Sequence, residues 1–448
     1  MNPKNGLRTY QKSETWLIPT LLNMKRTDWD IIVIGAGPAG TTSAALLAEK
    51  GYSVLILEKE KFPRYHVGES MMPFCWYTLD RLGLVNKMDE IGFQQKFSVQ
   101  FASTEGKMSR PFYFFQHYDH PSATTWQVER EEFDQMILDK ALEKGASFRD
   151  ETKVIEPIHD EGGAVVGVVA EKGGQRYELG AKVVVDASGR DCFYASKNQW
   201  RRRDPKLNKV AIWTYYEGAM RDPGLDAGST TVAYLPDKGW FWYIPMRNDL
   251  VSVGVVAERD YLFRDSRDPG EIMDREVEEN VWIKEHLASG KQKGEYWVTG
   301  EYSYRSDYCA TDGLILAGDA FAFLDPVFSS GVFLALKSGE MAADAVDTAL
   351  KGGDVTAQNF QKYGEDICLA IERMRKIVYA FYRPEFNFGK LVKMYPDLRP
   401  TLTDLLIGDI FVDKFDELFD AVREICDLPE ELDYGHQVKF NEAVSAVG

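Results

Sequence analysis

The chain has 448 residues and a formal net charge of -17, from 53 basic and 70 acidic side chains. That length exceeds what one hydrophobic core usually holds, so two or three domains are expected, and the acidity argues against a nucleic-acid partner because phosphate backbones repel it. Apolar residues make up 44%, as in ordinary globular proteins, yet no apolar stretch approaches the roughly 20 residues of a membrane-spanning helix.

The cysteines and histidines give no sign of a cross-linked or metal-bound protein. The five cysteines are Cys75, Cys192, Cys309, Cys368 and Cys426. They are scattered and never form a CxxC pair, which argues against a disulfide framework or a zinc site and predicts a reducing, cytoplasmic location. His117 and His120 have a spacing that could touch a metal, but they lack a second ligand cluster. They are therefore predicted to lie on a surface loop, and no metal site is expected.

The first predicted element follows an N-terminal arm. Residues 1–28 lack the apolar core and cleavage site of a signal peptide, so a flexible arm is expected there, with Met24 as an alternative start. An apolar strand at 31–34 then runs into a glycine-rich turn, and a helix rich in alanine and leucine leads to a second apolar strand at 54–57. This order predicts a βαβ unit with parallel strands.

The turn GAGPAG carries the first chemical signal. Gly35, Gly37 and Gly40 fit the pattern GxGxxG, in which the first glycine makes the turn, the second admits a pyrophosphate and the third packs helix on strand. Glu58 ends the second strand, 23 positions after Gly35 (58 minus 35), where its carboxylate can accept ribose hydroxyl groups. The motif predicts a dinucleotide cofactor and does not by itself separate FAD from NAD.

The later elements alternate between helical and extended patterns. In chain order we predict a helix at 74–92, a strand at 97–101, a helix at 130–144, strands from about 153 to 170, a buried strand with a tight turn at 183–189, several strands at 208–257, a buried strand at 313–320 and a long helix at 331–351. The run Arg201, Arg202, Arg203 is predicted to be a solvated loop. From about 355 onward the chain is expected to be mostly helical and rich in aromatic residues.

The stretch PDKGWFWYIPMR places two tryptophans one residue apart. In an extended strand, alternate side chains share a face, so Trp240, Trp242 and Ile244 would form one wall and Phe241 and Tyr243 the other. The plain interpretation is a strand buried on both sides. A functional interpretation requires something nearby that needs a bulky wall.

A second glycine turn favours FAD as the dinucleotide. GDA at 318–320 ends a buried strand, so Asp319, after Gly318, can meet ribityl hydroxyl groups. Together with GAGPAG and with DASG at 186–189, this turn resembles the FAD fold of the para-hydroxybenzoate hydroxylase type. Arg130 sits where that fold commonly places a flavin-contacting arginine, and a surface arginine on a helix is the alternative.

Within that superfamily the chain resembles the FAD-dependent halogenases, over nearly its whole length from about 29 to 430. The motifs that carry the resemblance are WxWxIP (Trp240, Trp242, Ile244, Pro245), FxxPxxSxG (Phe323, Pro326, Ser329, Gly331) and the lysine of FQQKF (Lys96). Their order around a GxGxxG turn makes the resemblance strong.

The resemblance implies a role for each motif. Trp240 and Trp242 would separate the flavin from the organic substrate, which rigid indoles suit because they fill volume with little side-chain freedom. Backbone N–H groups near Ser330 and Gly331 would hold the halide. A Ser-Ser-Gly helix start capped by hydroxyl groups is the alternative interpretation, and both can hold at once. Lys96 would be the catalytic residue.

One position departs from part of the family. Tryptophan halogenases carry a glutamate two residues before the position that corresponds to Ser330, and this chain has Phe328 there. No carboxylate is available at that point for acid-base work. The phenol- and pyrrole-type branch lacks it too, so the departure favours that branch.

As the resemblance implies, the expected function is a two-component, FADH2-dependent halogenase. A separate flavin reductase would supply FADH2, oxygen would give a flavin hydroperoxide, and chloride or bromide would be oxidised to hypohalous acid. That oxidant would reach Lys96 and halogenate an electron-rich aromatic ring, a phenol or pyrrole, either free or tethered to a carrier protein.

Two alternative functions are also compatible with the sequence. The first is an NAD(P)H-dependent FAD monooxygenase or hydroxylase, or a geranylgeranyl-reductase-like oxidoreductase, on the same fold. The second is a non-catalytic flavoprotein that binds an apolar ligand or partner in its aromatic tail. Reduction of the flavin by NAD(P)H alone would favour the first.

The expected architecture is an α/β, Rossmann-like FAD-binding fold with an inserted β-rich substrate domain and a helical C-terminal region. The FAD-binding domain is expected at 29–350 and is discontinuous. Its β-rich substrate part is expected at about 100–130 and 200–300, and the helical region at 351–448.

Overall fold

The computed structural model describes residues 28–236, 239–300 and 303–441. All but the last residue of the predicted N-terminal arm at 1–28 lies outside these ranges. The βαβ unit is confirmed: strand Trp29–Ile34 pairs in parallel with strand Val54–Leu57, and helix Pro38–Glu49 connects them. The second strand is buried throughout, as its continuous apolar sequence requires.

The βαβ unit belongs to a sheet of nine strands within the described residues, called here the parallel sheet. Its main path runs Gln437–Lys439, Tyr308–Thr311, Leu314–Leu316, Gln175–Asp186, Trp29–Ile34, Val54–Leu57, Ser147–Arg149. The last five of these strands are parallel to one another. Val165–Lys172 joins antiparallel to Gln175–Asp186, and Lys153–His159 pairs with it in turn. Because the carboxyl ends of parallel strands meet at one edge, that edge is where a ligand is expected.

Two helices on this sheet touch backbone to backbone. A Cβ added to Gly339, in helix Ser330–Gly352, would lie 2.3 Å from the carbonyl oxygen of Ala39 in helix Pro38–Glu49. The close approach packs the long helix against the residue that precedes Gly40 in the GxGxxG turn. Helix Arg130–Glu143 also packs against Pro38–Glu49.

A second sheet of seven strands, within the described ranges, carries the tryptophan stretch. Its order is Lys291–Gly300, Lys209–Glu217, Leu250–Glu258, Trp240–Pro245, Thr230–Tyr234, Ser98–Ala102, Phe112–Tyr113. The predicted alternation is confirmed. Trp240, Trp242 and Ile244 pack into the main core, while Phe241 and Tyr243 pack into a separate cluster on the other face. Helices Pro269–Glu278 and Val281–Leu287 cover that other face.

Three local predictions were wrong. The helix predicted at 74–92 is two helices, Cys75–Arg81 and Val85–Ile91, because Gly83 between them has a φ of +70°. Arg201–Arg203 is a strand paired with Tyr304–Ser306 instead of a loop, although Arg202 and Arg203 are exposed as predicted.

The strand predicted at 97–101 is displaced and broken. Ser98–Ala102 joins the seven-stranded sheet, whereas Lys96 ends a separate strand, Gln94–Lys96, that pairs with Thr125–Gln127. Phe97 is the break between them. Lys96 is therefore held by a different sheet from the residues that follow it.

The C-terminal region is mostly helical, as predicted, and returns to the parallel sheet through Gln437–Lys439. Its helices are Gln361–Phe381, Phe388–Met394, Arg399–Ile407 and Asp416–Arg423. The shorter helices elsewhere are Phe193–Lys197 and Arg259–Leu262. Among the described residues, no helix is long and apolar enough to span a membrane, and no cluster of potential metal ligands is found. All five cysteines are free and buried.

Candidate active site

A cavity of about 960 Å³ lies at the carboxyl ends of the parallel strands and reaches the second sheet. Of the predicted site residues, those that line it are Gly35, Gly37, Glu58, Arg130, Trp240, Trp242, Asp319 and Gly331. Gly40, Gly318, Ser330 and Lys96 lie outside its lining. The structure thus brings all four predicted groups, for cofactor, halide, wall and catalysis, to one cavity or directly behind it.

The three glycines of GxGxxG face different surroundings. A Cβ on Gly35 (φ +97°) would lie 2.4 Å from the Ala187 oxygen, and one on Gly40 would lie 2.1 Å from the Gly35 oxygen. A Cβ on Gly37 would meet only the tip of Arg64, at 3.5 Å. The first and third glycines are required by the protein's own packing, whereas the second leaves open space in the cavity. That is the division expected of a turn that admits a pyrophosphate.

Glu58 presents a fixed carboxylate to the cavity. It is buried, and its two oxygens accept hydrogen bonds from the backbone N–H groups of Ala36 at 2.9 Å and Glu60 at 3.0 Å. Each carboxylate oxygen can accept a second hydrogen bond. The remaining capacity faces the cavity, where ribose hydroxyl groups could donate to it.

Asp319 also lines the cavity at the edge where the parallel strands have their carboxyl ends. It lies toward the opposite end of that edge from Glu58. Within the described residues its carboxylate accepts no hydrogen bond, and burial raises its pKa to about 6, with Arg190 and Arg130 acting in the opposite direction. A partly buried carboxylate that accepts no hydrogen bond is costly, so this one suits a ligand rich in hydroxyl groups. Gly318 shapes the turn instead of lining the cavity: its φ is +60°, and an added Cβ would lie 2.8 Å from Ala39 Cβ.

Arg130 is buried, so the alternative of a surface arginine was wrong. It begins helix Arg130–Glu143, and its Nε and Nη2 donate to the two oxygens of Asp134 at 2.8 and 3.0 Å. Nη1 donates to the Val67 carbonyl at 3.0 Å. These bonds fix a positive charge in the cavity wall.

Two further arginines in the lining were missed by sequence reasoning. Arg64 Nη1 donates to Asp134 at 3.0 Å, and Arg190 Nη1 donates to Thr299 Oγ1 at 2.7 Å, with its guanidinium 5.4 Å from the ring centroid of Phe323. Both suit the negative charge of a diphosphate. Arg190 directly follows DASG, a signal that could have identified it, whereas nothing in the sequence around Arg64 marks it.

These observations together fit FAD. An open glycine face, carboxylates with unused hydrogen-bond acceptor capacity and arginines held by hydrogen bonds occur along one cavity. These are the positions where a dinucleotide presents phosphates and hydroxyl groups.

The tryptophan wall, defined as Trp240 and Trp242, closes one side of the cavity. The two indoles are nearly fully buried, with ring centroids 6.2 Å apart, and Trp242 Nε1 donates to Ser252 Oγ at 3.1 Å. Gly254 lies opposite Trp242 in the sheet, and a Cβ there would lie 2.3 Å from the indole. The neighbouring strand therefore keeps a slot open for this ring, which fixes the wall in place.

The anion loop, defined as residues 325–331, leads into helix Ser330–Gly352. Ser329 has a φ of +58°, unusual for a residue other than glycine, and lines the cavity with Gly331. A Cβ on Gly331 would meet nothing within 4 Å, and the Ser330 hydroxyl is buried without a hydrogen-bond partner in the described structure. The helix also lacks a side-chain cap, so the capping alternative was wrong and its first N–H groups are open to a ligand.

Lys96 lies one side chain behind the cavity wall. Its Nζ donates to Ser70 Oγ at 2.9 Å and to the Met71 carbonyl at 3.1 Å, and Ser70 lines the cavity. The side chain is only 2% exposed, and this burial lowers the pKa of the amine to about 7. Nζ is also 5.8 Å from the ring centroid of Phe114. A neutral amine is therefore accessible near neutral pH.

Ser98 and Gln100, which follow Lys96 at intervals of two residues, are polar side chains that are buried like that of Lys96. Phe328, which replaces the glutamate of tryptophan halogenases, packs against Phe381 and Phe388 with centroids 5.8 and 5.9 Å away.

A carboxylate that sequence reasoning missed lies next to Ser70. Glu69 is buried in the cavity lining, accepts a hydrogen bond from Tyr215 Oη at 2.7 Å, and has its pKa raised by burial. A single glutamate in HVGES carries no motif that predicts this position.

Comparison with known proteins agrees with this geometry. The family described as FAD binding domain matches residues 28–365. A 1H-pyrrole-2-carbonyl peptidyl-carrier-protein brominase from Pseudoalteromonas luteoviolacea is 32% identical over 391 residues, covering 86% of this chain and 92% of that protein. The corresponding chlorinase from Pseudomonas fluorescens is 30% identical over 428 residues, covering 90% and 94%.

Solved structures give the same result. The flavin-dependent brominase Bmp2 superposes with a TM-score of 0.81 at 31% identity, covering 88% of this chain and 98% of that one. The myxobacterial chondrochloren halogenase CndH superposes with a TM-score of 0.74 at 29% identity, covering 89% and 96%. The hydroxylase and reductase alternatives are not favoured by these relatives. The chain belongs to the flavin-dependent halogenases, FAD-dependent oxidoreductases on the FAD-binding fold.

Proposed function

We propose that the protein halogenates an electron-rich pyrrole ring held as a thioester on a carrier protein, with reduced FAD supplied by a separate reductase. The observation that carries the proposal is the placement of Lys96, a fully buried amine whose hydrogen-bond partner Ser70 lines the cavity of the GxGxxG turn. Burial of a lysine amine is costly, so a buried lysine with a lowered pKa beside a cofactor cavity supports a functional role for that amine.

In this proposal, Gly37, Glu58, Arg130, Arg190 and Asp319 hold FAD, through the open glycine face, the carboxylates and the fixed guanidinium groups. When bound in its reduced form, FAD supplies with oxygen the oxidising power that converts halide to hypohalous acid. The protein's part is to bind and orient the reactants and to exclude water from the cavity.

The halide is proposed to sit at the anion loop. The backbone N–H groups of Ser330 and Gly331 are the first of a 23-residue helix, whose amino terminus carries partial positive charge. The unpartnered Ser330 hydroxyl adds a donor, and the absence of a Cβ at Gly331 admits close approach. Chloride and bromide are both accepted in the proposal, since one relative is a chlorinase and the other a brominase.

The tryptophan wall is proposed to keep the aromatic substrate away from the flavin while the smaller oxidant passes to Lys96. There the neutral amine either hydrogen-bonds hypohalous acid or takes its halogen, with loss of water, to form an N-halo bond. In both routes the ring carbon gains the halogen, the ring loses its proton, and the amine is regenerated. Both routes need an Nζ that is neutral, or that can exchange its extra proton, near neutral pH. The lowered pKa of Lys96 provides this.

The carrier-bound pyrrole is taken from the two relatives, whose names specify a pyrrole-2-carbonyl group on a peptidyl carrier protein. The absence of an acid-base glutamate at Phe328 agrees with a ring reactive enough to need no such help. A free phenol or pyrrole is the alternative electron-rich aromatic substrate.

The test is to incubate the FAD-loaded protein with a flavin reductase, NADH, halide and either pyrrolyl-carrier protein or a panel of free phenols and pyrroles. Mass spectrometry should show exchange of hydrogen for halogen on the carrier-bound pyrrole, and none when the reductase is omitted. Halogenation of free rings alone would contradict the carrier-bound assignment. Failure with every ring and both halides would contradict the function.

A further inference from the structure

We propose that Tyr382 is a positioning residue that fixes the tryptophan wall to the anion loop and so limits the escape of hypohalous acid. The inference rests on the proposed function and adds to it a residue from the C-terminal helical region. Tyr382 lines no part of the cavity, so its influence is exerted through the two motifs that do.

The Tyr382 hydroxyl lies where these motifs meet. It accepts a hydrogen bond from Trp240 Nε1 at 2.8 Å and donates one to Asp325 Oδ2 at 2.8 Å. A phenol can donate once and also accept, so both bonds form at the same time. One oxygen atom therefore ties the wall, on the second sheet, to the first residue of the anion loop.

Asp325 transmits this contact into the loop. Its second oxygen accepts the backbone N–H of Val327 at 3.1 Å, and its own N–H donates to Ser303 Oγ at 3.1 Å. The carboxylate is fully buried, and burial raises its pKa to about 6, while the bond from Tyr382 acts to lower it. Tyr382 thus helps to keep the aspartate ionised and the turn before Ser329 closed.

The tyrosine is itself held firmly. It is the C-cap residue that directly follows helix Gln361–Phe381, and the Phe381 ring meets it edge-on with centroids 5.4 Å apart. Lys209 Nζ lies 4.2 Å from the tyrosine ring centroid and is paired with Glu258 at 2.6 Å. A cation over the ring and a rigid helix end make Tyr382 a fixed point and not a mobile contact.

Loss of the hydroxyl would leave the indole N–H of Trp240 and an oxygen of Asp325 without a buried partner. Such groups move to find other partners or water. Movement of the indole would open the wall, and movement of the aspartate would loosen the loop beside the halide. Oxidant formed in the cavity would then leave without meeting the substrate.

The experiment compares Tyr382→Phe with Tyr379→Phe in the full-length, FAD-loaded protein. Tyr379 lies in the helix that Tyr382 follows and is a buried tyrosine that donates to a buried aspartate, Asp204, but neither residue of that pair lines the cavity. Escaped hypohalous acid is measured with monochlorodimedone, relative to reduced flavin consumed. Trp240 is followed by the amide-type NMR signal of its indole N–H, assigned with Trp240→Phe.

Tyr382→Phe should raise the escaped fraction by about tenfold, the factor that corresponds to one good hydrogen bond, while Tyr379→Phe leaves it unchanged. The indole signal should shift in Tyr382→Phe alone, with FAD affinity unaltered. In a Trp240→Phe background, the Tyr382→Phe change should add little to the escaped fraction, because the indole N–H that bonds to Tyr382 is already absent. Equal escape and an unshifted indole signal in Tyr382→Phe would overturn the proposal. A wild-type protein that makes neither product nor hypohalous acid contradicts the proposed function instead, and the indole signal still decides the positioning claim.

Discussion

Replacing Lys96 by methionine should abolish halogenation and at the same time stabilise the folded protein at neutral pH. Burial lowers the pKa of the amine from 10.5 to about 7. At about pH 7 this pKa difference lowers the free energy of unfolding of the wild type by about 4 kcal/mol. Loss of the bonds to Ser70 and Met71 costs about 1 kcal/mol each, so the net gain for Lys96→Met is about 2 kcal/mol.

The gain should depend on pH with a defined sign. Between about pH 7 and pH 10.5 the unfolded chain keeps a proton that the folded Lys96 has released, so wild-type stability rises with pH across this window. The advantage of Lys96→Met should therefore shrink, by about 3 kcal/mol between about pH 6.5 and pH 9.5. Urea unfolding of both proteins at the two pH values measures it. A stability difference that does not vary with pH would show that the pKa of Lys96 is not lowered in the folded protein.

The catalytic half of the prediction uses product analysis. Lys96→Met and Lys96→Ala should bind FAD and consume oxygen like the wild type while giving no halogenated product. Lys96→Arg should not restore activity, because a guanidinium group does not lose its proton near neutral pH. Wild-type rates of product formation by Lys96→Ala would refute a catalytic role for this lysine.

Three further predictions concern the cofactor and the halide. Gly37→Val should weaken FAD binding by at least about tenfold in a fluorescence titration, because the valine side chain enters the open face of the turn. Gly352→Val, at the end of a helix, should not weaken FAD binding. Equal FAD affinities of the two variants would refute the placement of FAD at Gly37. NADH or NADPH alone should fail to bleach the bound flavin in stopped-flow mixing, and rapid reduction without a reductase would favour the hydroxylase alternative. Gly331→Ala should raise the KM for bromide by about tenfold with FAD affinity kept, and a bromide-soaked crystal should show an anomalous peak beside Ser330 and Gly331; bromide found only on the outer surface would contradict the anion loop.

The part of the cavity lining formed by the GxGxxG turn and Glu58 could be predicted from sequence because these residues are close in the chain. Gly35, Gly37 and Gly40 act within one turn, and Glu58 follows at a spacing set by a single helix and strand. The alternation of Trp240 and Trp242 is likewise a local property of a strand. In such segments, local geometry alone decides which side chains share a face.

The remaining features depend on contacts between distant segments. The burial of Lys96 is produced by Ser70 and Met71, more than twenty positions earlier, and by a break in the strand at Phe97. Tyr382 meets Trp240 and Asp325 only when three regions assemble. Sequence periodicity carries no information on such meetings. Lys96 could be named from its motif, but its burial and the contacts of Tyr382 could be identified only from the fold.

Local backbone freedom explains the smaller errors. Gly83 divides a segment whose apolar pattern reads as one helix, and Arg201–Arg203 becomes a strand because Tyr304–Ser306 supplies a pairing partner. Charge alone predicted a loop there, but backbone hydrogen bonding to a neighbouring strand overrides side-chain preference.

The measurement that tests the account most directly is the mass of pyrrolyl-carrier protein after reaction with the wild-type protein, a flavin reductase, NADH, bromide and heavy-isotope oxygen gas. The expected product carries the paired isotope peaks of bromine and no heavy oxygen, because oxygen leaves as water while the ring receives the halogen. A product that contains heavy oxygen and no bromine would show a hydroxylase, and would contradict the central claim.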